Sequence, residues 1–262
     1  LAAVLACAVA APAAAFDSGP HSDMTRDAMQ SEGFGGQARD AAQVSSWFVD
    51  LYENEEKTPH SGHASFWKTL LGGGYGSREH WPRAVIAAAD RTHFDSTGGG
   101  FASGFALSNE WERLKRATAV VLRAAARRED PVAALSALGT SLHQVQDFYS
   151  HTNWVEPRRR GYDGPDWRAE GLGATPTWFD VPHAARLNAN LYAGGSRGAS
   201  RSHGGWRSDG NRDLHGHMNK DWSARPLYLE AYAAAYFASR QWLKAARAWT
   251  GDDAFWRQVQ RY

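Results

Sequence analysis

The sequence predicts an all-α protein built as a single helical domain with long glycine-rich loops. Three observations carry this: long stretches place apolar residues at helical spacing, several helices announce their starts, and β-branched runs with period-two alternation are scarce. The 262 residues suffice for one sizeable core, and 12 Trp, 9 Tyr and 11 Phe exclude a chain disordered throughout. Lys+Arg 29 against Asp+Glu 28 gives a formal charge of +1, which excludes a polyanion-coating protein. No stable nucleic-acid partner is expected.

The first segment, LAAVLACAVAAPAAA over residues 1–15, is uncharged and ends in a small-x-small pattern at Ala13 and Ala15. It reads as the apolar region and cleavage site of a signal peptide, predicting secretion and a mature domain over 16–262. A buried N-terminal helix is the alternative. Cys7 is the one cysteine and lies in that segment, so residues 16–262 contain no disulfide and no thiolate metal ligand.

Shorter helices are predicted near 22–31, 37–55 and 82–92. From Ser108, NEWERLKRATAVVLRAAARRED sets Trp111, Leu114, Val121 and Leu122 at helical spacings behind an acidic first turn. The next helix starts with Asp130 as N-cap and Pro131 at the first helical position, and runs through VAALSALGTSLHQVQDFYSH. A short helix is expected near 182–192. A long one follows Pro226, with Leu227, Leu229, Tyr232, Tyr236, Phe237 and Trp242 among alanines, and another is expected near 252–260. Glycine-rich connections at 71–76, 96–104 and 194–213 separate these elements.

The chemistry is concentrated in the Pro131 helix. His143, Asp147 and His151 stand at i, i+4 and i+8, so all three project from one face, rising about 6 Å per step. A carboxylate between two imidazoles can bridge two metal ions. Gly139, one turn earlier on that face, leaves room for a ligand or for close backbone packing. Leu138, Leu142, Val145 and Tyr149 form the opposite, packing face. A solvated polar face is the alternative, but such a face more often carries Lys, Glu and Arg.

One helix cannot close a metal site. Further candidates are His21, His93 in THFD, the His215/His217 pair, Asp221 and the carboxylate of Asp50 in WFVDLYENE. His60, His63, His80, His183 and His203 read as surface or capping residues.

GTSLHQVQDFYSHTNW resembles the signature of the Het-C-like and zinc-dependent phospholipase C superfamily, which includes fungal single-strand nucleases. PHSDMTRDAM, THFD and HMNKD resemble further motifs of that superfamily. The resemblance implies an all-helical domain holding up to three zinc ions. His21 maps to the zinc near the chain terminus, His93 with His143 and Asp147 to the first zinc, and His151, His217 and Asp221 complete the metal set. His215 competes with His217, and Glu230 with Asp221. Asp50 is a weaker match to an upstream aspartate ligand. The superfamily's first residue is often a terminal Trp that ligates zinc, where this chain has Phe16.

The resemblance implies a secreted zinc-dependent phosphodiester hydrolase of phospholipase C type. A zinc-activated water would attack a phospholipid or other phosphate ester, with Asp147 in the cluster and Asp50 or Asp95 orienting the water or acting as base. A nuclease or phosphatase on the same metals is the enzymatic rival. The rival from another class is a non-catalytic Het-C-like module with a structural zinc. The run Arg158–Arg160 and the aromatics Tyr149, Trp154, Tyr162, Trp167 and Trp178 are candidates for substrate or peripheral membrane contact, with core packing the alternative for most of the aromatics.

Overall fold

The computed structural model describes residues 18–53, 93–94, 102–156, 176–187, 191–193, 220, 223 and 225–262. The described residues form an all-α bundle with seven helices: α1 (Ser18–Ser31), α2 (Gly36–Glu53), α3 (Gly104–Arg128), α4 (Pro131–His151), α5 (His183–Arg186), α6 (Tyr228–Thr250) and α7 (Asp253–Arg261). Two two-residue strands, β1 (Ala102–Ser103) and β2 (Tyr192–Ala193), pair antiparallel, and Thr152 bridges to Ala193 just beyond the end of α4. Residues 1–15, the expected helix at 82–92 and the loops at 71–76 and 194–213 lie outside the described residues. Among the described residues no helix is long and apolar enough to cross a membrane.

Helix α4 is the axis, packed against α1, α2, α3, α6 and α7. It begins as its sequence predicts, with Pro131 at the first helical position and the Asp130 carboxylate accepting from the Ala133 N–H at 3.0 Å. Its second half departs from the expected two-faced helix: every residue from Ser141 to His151 is buried. Leu138, Leu142, Val145 and Tyr149 do belong to the core, but neighbours cover the polar face as well.

Gly139 resolves its two readings in favour of close packing. A Cβ there would stand 2.2 Å from the Ala42 carbonyl oxygen and 2.9 Å from the Ser45 Cβ, so α2 crosses α4 at backbone distance. On the other side, α6 buries Ala231, Ala234, Ala235, Ala238 and Ala246 with Trp242. The small residues form the contact stripe, and Leu229, expected among the apolar anchors, is 60 % exposed. Trp242 Nε1 donates to Ser141 Oγ at 3.0 Å, and that hydroxyl donates to the Leu138 carbonyl. Gly251, at φ 71°, closes α6 in the left-handed conformation suited to glycine, and Asp252 caps α7.

Three element expectations need correction. Helix α3 starts at Gly104 rather than Ser108, because buried Leu107 extends the apolar stripe upstream and Ser108 itself is buried within the helix. Val121 is 41 % exposed while Trp111, Leu114 and Leu122 face the core. The helix expected near 182–192 is one turn, because Tyr192 and Ala193 are taken by the strand pairing.

Candidate metal centre

Five of the residues singled out from sequence converge. His21 comes from α1, His93 from a turn ahead of α3, and His143, Asp147 and His151 from successive turns of α4; all five are 0 % exposed. The carboxylate of Asp147 is the hub. Its Oδ1 stands 3.0 Å from His21 Nε2 and 3.9 Å from His151 Nε2. Its Oδ2 stands 2.6 Å from His93 Nδ1 and 3.0 Å from His143 Nε2. His21 and His143 stack with ring centroids 3.9 Å apart.

The position of His93 depends on its neighbour. Phe94 holds a left-handed φ of 52°, which costs a non-glycine residue on the order of 1 kcal/mol. Its ring is held in the core, with centroids 5.4 Å from Trp111 and 5.4 Å from Phe148. This aromatic anchoring offsets the backbone strain and turns His93 toward α4.

The surrounding hydrogen bonds place one ring proton on each of two histidines. Ser239 Oγ donates to the Ala235 carbonyl at 2.8 Å, so its oxygen accepts from the Gln146 amide Nε2 at 3.3 Å. That fixes the amide with Oε1 toward His21, where it accepts from Nδ1–H at 2.6 Å. His21 therefore carries a proton on Nδ1 and turns Nε2 toward Asp147 Oδ1. His151 behaves alike: Nδ1 donates to the His93 main-chain carbonyl at 2.7 Å, with Nε2 turned toward Asp147.

Burial lowers His143 to a pKa of about 3, helped by the nearby His21 and opposed by Asp147, so its imidazole is neutral. Burial alone would raise Asp147, but the surrounding imidazoles, His143 foremost, hold it well below the usual carboxylate range. The Asp147 carboxylate is thus held anionic inside a fully buried ring of imidazoles.

The donor set fits a transition metal. Imidazole nitrogens with a carboxylate oxygen are zinc ligands, and two donors on one tetrahedral zinc are about 3.4 Å apart. His93 Nδ1 and His143 Nε2 are 3.4 Å apart and share Asp147 Oδ2. His21, His143 and Asp147 offer ligand atoms all within 4.8 Å of one another.

Other candidates stand elsewhere. Asp50 lies on α2, with its side chain outside the described residues, as are Asp95, His215, His217, Asp221, Phe16, Arg158–Arg160, Tyr162 and Trp167. His60, His63, His80 and His203 are outside them too. Glu230 is half-buried in the first turn of α6 and is not in the cluster around Asp147. His183 is exposed on α5. Tyr149, Trp154 and Trp178 are buried, and Tyr149 Oη accepts the Trp178 N–H at 2.7 Å, so these aromatics build core rather than a surface rim.

Sequence reasoning passed over Gln146 and Lys220. Gln146 orients His21, and the available signal was a segment, GTSLHQVQDFYSH, free of Lys, Arg and Glu, as a helix buried all round would be. Lys220, 1 % exposed, donates from Nζ to the carbonyls of Ser150 and Thr152 and pairs with Glu156 at 3.1 Å. A cation thus closes the C-terminal end of α4, at the carbonyls that flank His151.

Residues 98–162 match the family described as the VWA7 N-terminal domain. The von Willebrand factor A domain-containing protein 7 of Mus musculus is 32% identical over 158 residues, 51% of this chain and 18% of the relative. Its Homo sapiens counterpart gives the same identity and coverage. The chain thus spans about a fifth of the length of these curated relatives. No solved structure matches.

These matches overturn the resemblance to the Het-C-like and zinc phospholipase C superfamily, which no family match supports. The hydrolase reading built on it, its nuclease and phosphatase variants and the Het-C-like alternative fall with it. The physical reason is that a His-x-x-x-Asp-x-x-x-His run reports one face of one helix, whereas the longer alignment reports half the chain.

Proposed function

We propose that this chain is a metal-binding helical domain of the kind found at the start of VWA7 proteins, with a zinc-class divalent cation held at Asp147. One observation carries the reading: His21, His143 and Asp147, all fully buried, bring three ligand atoms within 4.8 Å of one another. Imidazole nitrogens and a carboxylate oxygen at that spacing are a donor set for a zinc-class cation.

His21 and His151 would serve the Oδ1 side of the carboxylate, and His93 and His143 the Oδ2 side. The carboxylate can therefore bridge two cations. Bound there, a cation supplies charge neutralisation and ties together three separate pieces of chain: α1, the turn at 93–94 and α4. That role suits a chain whose one cysteine is Cys7.

The test is zinc titration of chelator-stripped protein followed by desalting and elemental analysis. Wild type is expected to retain one or two zinc ions per chain, and Asp147→Asn none, with both still helical by circular dichroism. Zinc retained equally by the two would sink the assignment.

A further inference from the structure

We propose that Gln146 is a positioning residue that selects the tautomer of His21, and so decides which nitrogen is offered to a cation at Asp147. The inference rests on the metal-binding reading above and adds to it the source of the site's preorganisation.

Gln146 is 0 % exposed, and each of its amide atoms is engaged. Nε2 donates to Thr25 Oγ1 at 3.2 Å and to Ser239 Oγ at 3.3 Å, while Oε1 accepts from His21 at 2.6 Å. The amide joins three helices: α6 through Ser239, α4 through itself and α1 through His21 and Thr25. Thr25 Oγ1 continues the run to Ser46 on α2 at 3.5 Å.

A buried amide has two orientations, and they are chemically opposite here. With Oε1 toward His21, Nδ1 carries the proton and Nε2 is a ligand. With Nε2 toward His21, Nδ1 must accept, the proton moves to Nε2, and the nitrogen facing Asp147 becomes a hydrogen-bond donor that cannot bind metal. The discrimination comes from Ser239, whose proton is committed to the Ala235 carbonyl on its own helix, so its oxygen accepts only. A residue on α6 thus sets the protonation site of an α1 histidine, with Gln146 between them.

Outer hydrogen bonds of this kind typically change metal affinity 10–100-fold. Gln146→Met removes the acceptor at similar length; Gln146→Glu keeps an acceptor toward Nδ1. Ser239→Ala leaves the amide intact but removes its orienting acceptor.

The experiment is histidine-ring ¹⁵N NMR on the metal-free full chain, paired with zinc competition against a chromogenic chelator. In wild type the His21 ring is expected as the Nδ1–H tautomer. In Gln146→Met it should shift toward Nε2–H, with zinc affinity falling about 10–100-fold. Ser239→Ala should move both readouts the same way by a smaller factor, and covers the case in which Gln146→Met does not fold. Gln146→Glu should restore the wild-type tautomer.

An Nε2–H tautomer in wild type, or variants that keep the Nδ1–H tautomer and wild-type affinity, would overturn the proposal. Failure of the metal reading is seen separately: His21→Ala and wild type would bind zinc alike, or not at all, while the tautomer still followed Gln146.

Discussion

The Nδ1 of His151 donates to the main-chain carbonyl of His93 at 2.7 Å, so one member of the cluster fixes both its own ring orientation and the position of another. His93 is 58 residues from His151 in sequence and enters on a turn, not on a helix. The cluster is thus not a decoration of α4. It is where α4 holds α1 and the segment ahead of α3, and perturbing it should be felt in stability as well as in metal binding.

The first prediction concerns that coupling. Zinc that binds only the folded state should raise the melting temperature of the stripped protein, with the gain growing with zinc concentration. His143→Ala should reduce the gain to near zero. Differential scanning fluorimetry across a zinc series checks this, and an equal gain in both proteins would place the metal elsewhere.

Acid should destabilise the metal-free protein through His143. Its folded pKa of about 3 lies below the ordinary value of 6.5, so between these the unfolded chain binds a proton that the folded one does not. Stability is therefore fully present above about pH 6.5 and falls with decreasing pH, by at most about 1.4 kcal/mol per pH unit from this group. Asp147, depressed in its turn, continues the loss below the ordinary carboxylate pKa. Urea unfolding at several pH values should show this slope, and His143→Gln should flatten it.

Alkali acts through a different group. Tyr149 is buried and its phenol is pushed far above the usual value, so the folded state keeps a proton that the unfolded chain releases above about pH 10. Stability contributed by this group is intact below pH 10 and lost as pH rises past it. Tyr149→Phe should lessen that alkaline loss while costing about 1–3 kcal/mol at neutral pH, because the Trp178 N–H loses its buried acceptor. Denaturation midpoints at pH 7 and pH 11 separate the two effects.

Packing at the α2–α4 crossing gives a prediction free of charge. Gly139→Ala must push a methyl against the Ala42 carbonyl, where ideal geometry leaves 2.2 Å. Backbone cannot yield as a side chain does, so a loss of about 2–3 kcal/mol is expected. A midpoint unchanged in urea would mean that the helices do not approach so closely.

Much of this was legible in the sequence, for identifiable reasons. Asp130–Pro131 marked the start of α4, and the four-residue spacing placed His143, Asp147 and His151 together, because both signals are local to one helix. His21 and His93 were separable from other histidines only with outside comparison, since the contacts that bring them to Asp147 span 126 and 54 residues. The burial of the whole second half of α4 was missed because periodicity describes one helix and not how many neighbours surround it. Leu229 and Val121 misled for the same reason, and the alanines of α6 were undervalued because close approach selects small residues rather than strongly hydrophobic ones. The superfamily assignment failed because four short motifs, in patches of the chain, report local metal-capable spacing and not ancestry.

The most direct test of the central claim is zinc K-edge X-ray absorption on the reconstituted full chain. A shell of nitrogen and oxygen donors at about 2.0–2.1 Å is expected, with the outer scattering of at least two imidazoles, reduced in His93→Ala and His143→Ala. A shell without imidazole scattering, or one identical in wild type and both variants, would contradict it.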